Sequence, residues 1–180
     1  MIDHEPELDL IERAQTGDRH AFSELVRRYR AAVIRVVYRM CGDSHVAEDA
    51  AQEAFIRAWM HLPRYQPRSA FRSWLYRIAT NAALDVLRRQ KPTTDIDELP
   101  LCDTTLGPER VMVVEERASL VREAVMALSP ASRAALILRE YEGMSYQEIA
   151  DTLEIPIGTV MSRLNYARKQ LRILLEDVNG

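Results

Sequence analysis

Cysteine is nearly absent from this 180-residue chain: Cys41 and Cys102 stand far apart, with no second thiol near either. That excludes a disulfide framework and points to a reducing compartment, the cytoplasm. Each thiol is read as packed or merely exposed, not as an oxidant sensor. Long apolar runs are also missing. None exceeds five residues, so no membrane insertion is expected, a span needing about 20. The opening residues Met-Ile-Asp-His-Glu-Pro-Glu are acidic and lack the apolar core of a secretory leader. The four histidines, His4, His20, His45 and His61, are dispersed, with no pair at ligand spacing, so no metal site is expected. No glycine-rich phosphate loop occurs. Gly143-Met144-Ser145-Tyr146-Gln147 begins like a nucleophile elbow but lacks the final glycine and follows no strand. Neither a cofactor nor an enzyme is expected.

Net positive charge is lacking too, 24 basic residues facing 27 acidic ones for a total of −3. The distribution says more than the total. Residues 57–90 hold seven arginines against Asp85 alone, +6. Residues 155–173 hold Arg163, Arg168, Lys169 and Arg172 and no acid, +4. Between them, residues 91–110 carry five acids against Lys91 and Arg110, −3. Two basic islands flank an acidic strait.

What is abundant is helical periodicity. Leu8, Ile11 and Ala14 predict a short helix ended by Thr16-Gly17. Asp18 caps a second, with an apolar stripe of Phe22, Leu25, Val26, Tyr29, Val33, Val36 and Met40. Ser44 is the expected cap of a third, carrying Ala47, Ala51, Ala54, Phe55, Ala58 and Leu62. Ser69 is expected to open a fourth, with Trp74, Leu75, Ile78, Ala82 and Val86 inward. These four make one bundle, residues 8–90. Pro92, Pro100, Gly107 and Pro108 break every period in 91–110, which reads as a linker.

Residues 111–175 form a second unit. Val111, Val114, Ala118, Val121, Val125 and Leu128 describe a packed bundle helix, too short to favour a coiled coil. Ser129-Pro130 is a cap with proline at the first helical position, and its helix carries Ala135, Leu138 and Tyr141. Ser145-Tyr146-Gln147-Glu148 is a capping box, opening a short helix lined by Ile149, Ala150 and Leu153. After Pro156 a last helix places Ile157, Val160, Leu164, Ala167 and Leu171 on one face. No strand and no repeat emerges. The fold class is all-α, in two small helical domains joined by an extended acidic linker.

The last two helices have the spacing of a helix-turn-helix, with Ala150 and Val160 small or apolar where they cross. The free side of the second offers Thr159, Met161, Ser162, Asn165, Tyr166 and Lys169, with Arg163 and Arg168 placed for phosphates. An amphipathic hairpin with solvated arginines fits the same spacing. In the other island Tyr65, Phe71, Trp74 and Tyr76 lie among Arg64, Arg68, Arg72 and Arg77. Aromatic faces stack unpaired bases while guanidinium groups follow phosphates, the chemistry of single-strand capture. Trp74 is better read as core. Tyr65, in a proline-bounded loop, has no periodic reason to be buried and is the better stacking candidate. Asp49, Gln52 and Glu53 share one helix face, either solvated or a dock for a basic partner helix.

Trp74-Leu75-Tyr76-Arg77-Ile78-Ala79-Thr80-Asn81-Ala82, followed by Asp85 and Leu87-Arg88-Arg89, resembles region 2 of the bacterial extracytoplasmic-function (ECF) sigma factors. Ser145-Tyr146-Gln147-Glu148-Ile149-Ala150 and Gly158-Thr159-Val160, with Ser162-Arg163-Leu164, resemble region 4 of that family. The likeness runs from about residue 8 to 173. It implies a transcription initiation factor with region 2 at 8–90 and region 4 at 111–175. Its partners would be core RNA polymerase (the β′ clamp helices and β flap), promoter DNA and an anti-sigma factor. Asp49, Gln52 and Glu53 match the family's contact with the clamp helices. Tyr65 and Asn81 fall where the family captures a flipped base near −10, with Arg68, Arg72 and Arg77 on that strand. The last helix would enter the −35 major groove, positioned by Ser145, Tyr146 and Arg163 through phosphates. The linker would thread toward the polymerase active centre. Many relatives have a basic residue at positions 161 and 166 and an aromatic one at 165. Met161 cannot make the bidentate guanine contact of an arginine, so no −35 sequence carries over. A stand-alone helix-turn-helix regulator, binding duplex DNA as a dimer, would explain residues 130–173 but leave Tyr65–Asn81 unused.

Overall fold

The computed structural model describes residues 6–90 and 113–176, with side chains described for 6–89 and 118–175. The linker 91–110 and Cys102 lie outside the described residues. Eight α-helices occur among them: α1 Glu7–Gln15, α2 Arg19–Cys41, α3 Ser44–His61, α4 Phe71–Gln90, α5 Val113–Ala127, α6 Pro130–Glu140, α7 Tyr146–Leu153 and α8 Ile157–Glu176. No strand is present among the described residues, in keeping with the all-α expectation.

Local chemistry explains most boundaries. The Asp18 carboxylate accepts from the His20 and Ala21 amides at 2.9 and 3.1 Å, opening α2. It also takes two bonds from Arg13, and these, with the amide bonds, hold the carboxyl below its ordinary value. Gly42 closes α2 in the left-handed region at φ +76°, where a residue without Cβ is unstrained. Ser129 accepts from the Ser132 amide ahead of Pro130. Two expected caps are displaced. Asp43, not Ser44, caps α3 by accepting from the Val46 amide at 2.9 Å. Helix α4 starts at Phe71 and not at Ser69, with the Ala70 carbonyl taking its first bonds from Ser73 and Trp74.

The first four helices pack through small contacts. Ala47, Ala50, Ala51, Ala54 and Ala58 give α3 a buried alanine face, which lets α2 and α4 approach closely. Leu10 takes the core position expected of Leu8, which is 58% exposed. Ile157 and Tyr141 are likewise exposed, while Leu164, Ala167 and Val160 are buried.

The buried residues of both halves form one continuous core. Helices α5, α6 and α7 lie against α2 and α4. Arg133, 5% exposed, sits in this seam without a carboxylate. It donates instead to the carbonyls of Met40, Val125, Met126 and Leu128. Those oxygens lie at the C-terminal ends of α2 and α5, where carbonyls lack intrahelical partners and the helix dipole favours a cation. Burial pulls the guanidinium down to about 10, so it stays charged at neutral pH. Nearby, the Arg39 guanidinium covers the Tyr141 ring at 4.2 Å, which explains how an exposed tyrosine is tolerated there.

Candidate functional site

Three surfaces carry the chemistry. The first is a groove of about 670 Å³ between α2 and α3. Its apolar floor includes Phe22, Ile34, Phe55 and Trp59, and Asp49 and Gln52 stand at its wall. Phe22 and Trp59 meet with ring centroids 4.9 Å apart. Glu53 does not line the groove. Its carboxylate accepts from Arg57 at 2.8 Å, and Arg57 reaches on to Asp85 of α4 at 2.8 Å. The motif therefore divides: Asp49 and Gln52 address the groove, and Glu53 ties α3 to α4. The sequence stripe assigned Phe22 and Phe55 to the interior without detecting the groove. Its signal was a stripe on α2 broader than one buried face needs, since it includes Val26 and is flanked by Ile34.

The second surface is the loop before α4 and one face of that helix. Here an expectation fails: Tyr65 is buried, at 7% exposure. Its hydroxyl donates to the Ser69 carbonyl at 2.9 Å. Its ring meets Phe71 edge-on at 5.6 Å and Trp74 at 4.9 Å. From the other side Gln15 of α1 donates to the Leu62 and Tyr65 carbonyls at 3.1 and 2.8 Å. The loop is held by α1 and α4, and its tyrosine belongs to an aromatic cluster instead of standing free. Phe71 and Trp74 are buried with it, as read for Trp74. Tyr65 and Trp74 of this cluster, with Arg64, Arg68, Ser69 and Arg77, line a cavity of about 230 Å³. Asn81 is exposed one turn beyond Arg77, on the same helical face. Arg72 shares a side of α4 with Tyr76, and its charge is felt at Tyr29, Tyr76 and Glu148. So the fold brings Arg68, Arg77 and Tyr65 together and sets Arg72 aside.

The third surface is the helix-turn-helix. The capping box is complete: Ser145 Oγ accepts from the Glu148 amide at 3.2 Å and Glu148 accepts from the Ser145 amide at 2.7 Å. Those bonds hold the Glu148 carboxyl below its ordinary value. The Tyr146 ring lies under Arg139, and its hydroxyl accepts from Arg168 at 3.4 Å. Val160, Leu164 and Ala167 are buried against the rest of the domain. On the opposite side of α8, Met161, Ser162, Asn165, Tyr166 and Lys169 are exposed, with Thr159 and Arg163 half-buried. The Ser162 hydroxyl donates to the Thr159 carbonyl at 3.0 Å. Arg168 bonds Glu140 at 2.8 Å, whereas Arg163 and Lys169 make no ion pair among the described residues. This is an exposed, mildly cationic face.

No group of acids, histidines or cysteines suited to a metal occurs among the described residues. No described helix is long and apolar enough to cross a membrane. Burial pushes the Cys41 thiol up to about 11, which leaves it largely protonated and unreactive at neutral pH.

Comparison with known proteins bears directly on these surfaces. Residues 25–93 match the model of Sigma-70 region 2 and residues 118–171 that of Sigma-70, region 4. The chain is 38% identical to the RNA polymerase sigma-H factor of Pseudomonas aeruginosa, covering 99% of this chain and 98% of that one. It is 39% identical to the ECF RNA polymerase sigma-E factor of Escherichia coli, covering 90% of each. With the Bacillus subtilis ECF sigma factor SigW the identity is 34%, over 93% and 96%. Among solved structures, CnrH in complex with the cytosolic domain of CnrY aligns at a TM-score of 0.72 and 25% identity, covering 95% of this chain and 97% of that one. With both regions matched in order and curated relatives aligned over nearly the full length, this chain belongs to the ECF group of sigma-70 family RNA polymerase sigma factors, and is a transcription initiation factor.

Proposed function

We propose that the three surfaces divide the work of initiation. The α2–α3 groove, with Asp49 and Gln52 at its wall, takes a helical element of core RNA polymerase, the β′ clamp helices, while Glu53 keeps α3 braced on α4. Region 4 also meets the β flap. The cavity rimmed by Arg68 and Arg77 takes an extruded non-template base near −10, with Asn81 alongside and Arg72 on the strand beyond. Tyr65 acts as a fixed wall of that cavity. A stacked base gains about 1–3 kcal/mol, similar to the roughly 1.4 kcal/mol of one DNA stacking step. The exposed face of α8, from Thr159 and Met161 to Lys169, reads −35 in the major groove, with Ser145, Tyr146 and Arg163 on phosphates. The family resemblance extends the proposal to an anti-sigma factor and to action in the cytoplasm.

One observation carries this reading: a single chain presents both an aromatic-walled, arginine-rimmed cavity and a separate unengaged helix face. A stand-alone dimeric regulator would use only the second. The test is in vitro transcription by purified core enzyme on a randomised promoter library, where the chain should select a discrete set of promoters. Absence of specific transcripts above core alone would overturn the proposal. More finely, Asn81→Ala should impair initiation on duplex promoters more than on templates with a pre-melted −10 bubble. Equal losses on both would remove Asn81 from strand opening.

A further inference from the structure

Helix α1 lines neither the groove nor the cavity, yet one of its side chains reaches the loop that carries Tyr65. Gln15, the last residue of α1, donates from Nε2 to the Leu62 and Tyr65 carbonyls at 3.1 and 2.8 Å, residues 47 and 50 positions further along the chain. A side-chain amide nitrogen carries two hydrogens, so one group spans the two carbonyls with both donors in use. The end of α1 is itself fixed. Arg13 bonds Asp18 from Nε and Nη2 at 2.9 and 2.6 Å, and Leu10, Ile11 and Ala14 are buried.

The loop is thus gripped at two points of different kind. On the α4 side the Tyr65 ring and hydroxyl are held, by Phe71, Trp74 and the Ser69 carbonyl. On the α1 side the backbone is held. Beyond Tyr65 the chain is exposed at Gln66, Pro67 and Arg68. Arg64 and Arg68, on either side of the tyrosine, are exposed and line the cavity. With the ring anchored and the backbone released, the aromatic cluster survives, but the peptide units that carry both arginines are free to turn. These carbonyls are only partly buried, and water satisfies such a group equally well. A two-pronged donor from a separate helix does more, because it fixes where the loop lies.

Resting on the −10 assignment above, we propose that Gln15 is a positioning residue for capture of the −10 strand: its amide sets the Leu62–Tyr65 backbone so that Arg64 and Arg68 address the extruded base and its phosphates. Gln15 itself touches no DNA. Its donors matter, not its size or polarity. Glutamate has the same shape but, when ionised, only accepts, and it would set a carboxylate against two carbonyl oxygens. Methionine has a similar length and no donor. Lysine offers three hydrogens at the end of a flexible stem. All three are good helix formers, as glutamine is, so α1 itself is preserved.

The experiment compares Gln15→Glu, Gln15→Met and Gln15→Lys with the wild type, each as full chain reconstituted with core enzyme, on a duplex promoter selected from the randomised library. Permanganate reactivity of unpaired −10 thymines reports the rate of opening. Gln15→Glu and Gln15→Met should open the promoter about tenfold more slowly, the order expected for two lost hydrogen bonds, while core affinity stays within about twofold of wild type. Preference should broaden at −10 positions of the library and stay unchanged at −35, a split that general destabilisation does not produce. Gln15→Lys should recover most of the rate. The uncharged Gln15→Met keeps the test sound where the carboxylate of Gln15→Glu unfolds the loop. Opening by Gln15→Met within about twofold of wild type, Gln15→Lys as slow as Gln15→Met, or losses shared equally by core affinity and opening would each overturn the inference. Arg68→Ala/Arg77→Ala tests the reading beneath. If that pair opens the promoter normally, the −10 assignment falls; if it is slow while Gln15→Met is normal, this inference alone falls.

Discussion

The two surfaces proposed to meet DNA differ in how much of each the fold has already committed. Around α4 the aromatic side chains are spent on one another: Tyr65, Phe71 and Trp74 are mutually in contact, and the Tyr65 hydroxyl is bonded to Ser69. On α8 the outward side chains are largely uncommitted, with Met161 45% and Tyr166 40% exposed. A rigid cavity suits an extruded base, because the site loses little freedom on binding it. An open face suits a duplex that is itself ordered. The lesson is a coupling rule: around α4 any bound base would draw on the atoms that stabilise the fold, whereas on α8 binding and stability would rest on different atoms.

Tyr65→Ala is the strongest way to break that comparison. It should cost about 3 kcal/mol in urea denaturation, as for other buried aromatic truncations, together with −10 function. A loss under about 1 kcal/mol would mean the cavity wall is not part of the core. Next, Ser145→Ala removes the α7 cap and should cost about 1 kcal/mol. Its Glu148 partner adds a pH signature. A carboxyl held below its ordinary value contributes fully above the unfolded glutamate value of about 4.3. That contribution disappears as pH falls through the lowered folded value. The wild-type advantage over Ser145→Ala should therefore be flat from neutral pH to about 5 and shrink in acid, as followed by denaturation midpoints. Tyr65→Phe sharpens the first surface: it keeps the ring and loses one bond, for about 1 kcal/mol. Smallest is Met161→Ala, within about 0.5 kcal/mol of wild type in stability, yet changing −35 preference in a promoter-library selection.

Features set by neighbouring residues were readable from the chain; features set across it were not. Asp18, Ser129-Pro130 and the Ser145–Glu148 box act within four residues, and each forms as read. Asp43-Ser44 misled because two cap-forming residues are adjacent and only the geometry chooses. At Ala70 no side chain announces the helix start. Tyr65 misled for a different reason, since periodicity says nothing about a loop residue and its burial comes from Gln15 and Trp74, which lie elsewhere in the sequence. The seam was invisible altogether. Its bonds link residues 66, 77 and 93 positions apart, and no local pattern encodes such pairs. The division of Asp49, Gln52 and Glu53 was hidden as well, because helical spacing places them on one side without saying which one Arg57 takes.

Gly42 has a consequence for engineering. A Cβ built there would lie 2.9 Å from the Met126 terminal carbon across the seam. That carbon is the free end of a flexible side chain, which can turn aside without moving the backbone. Asparagine tolerates the left-handed backbone, so Gly42→Asn asks chiefly that the Met126 side chain change rotamer. At this point the joint between the halves is filled by a side chain that can yield, not by rigid backbone.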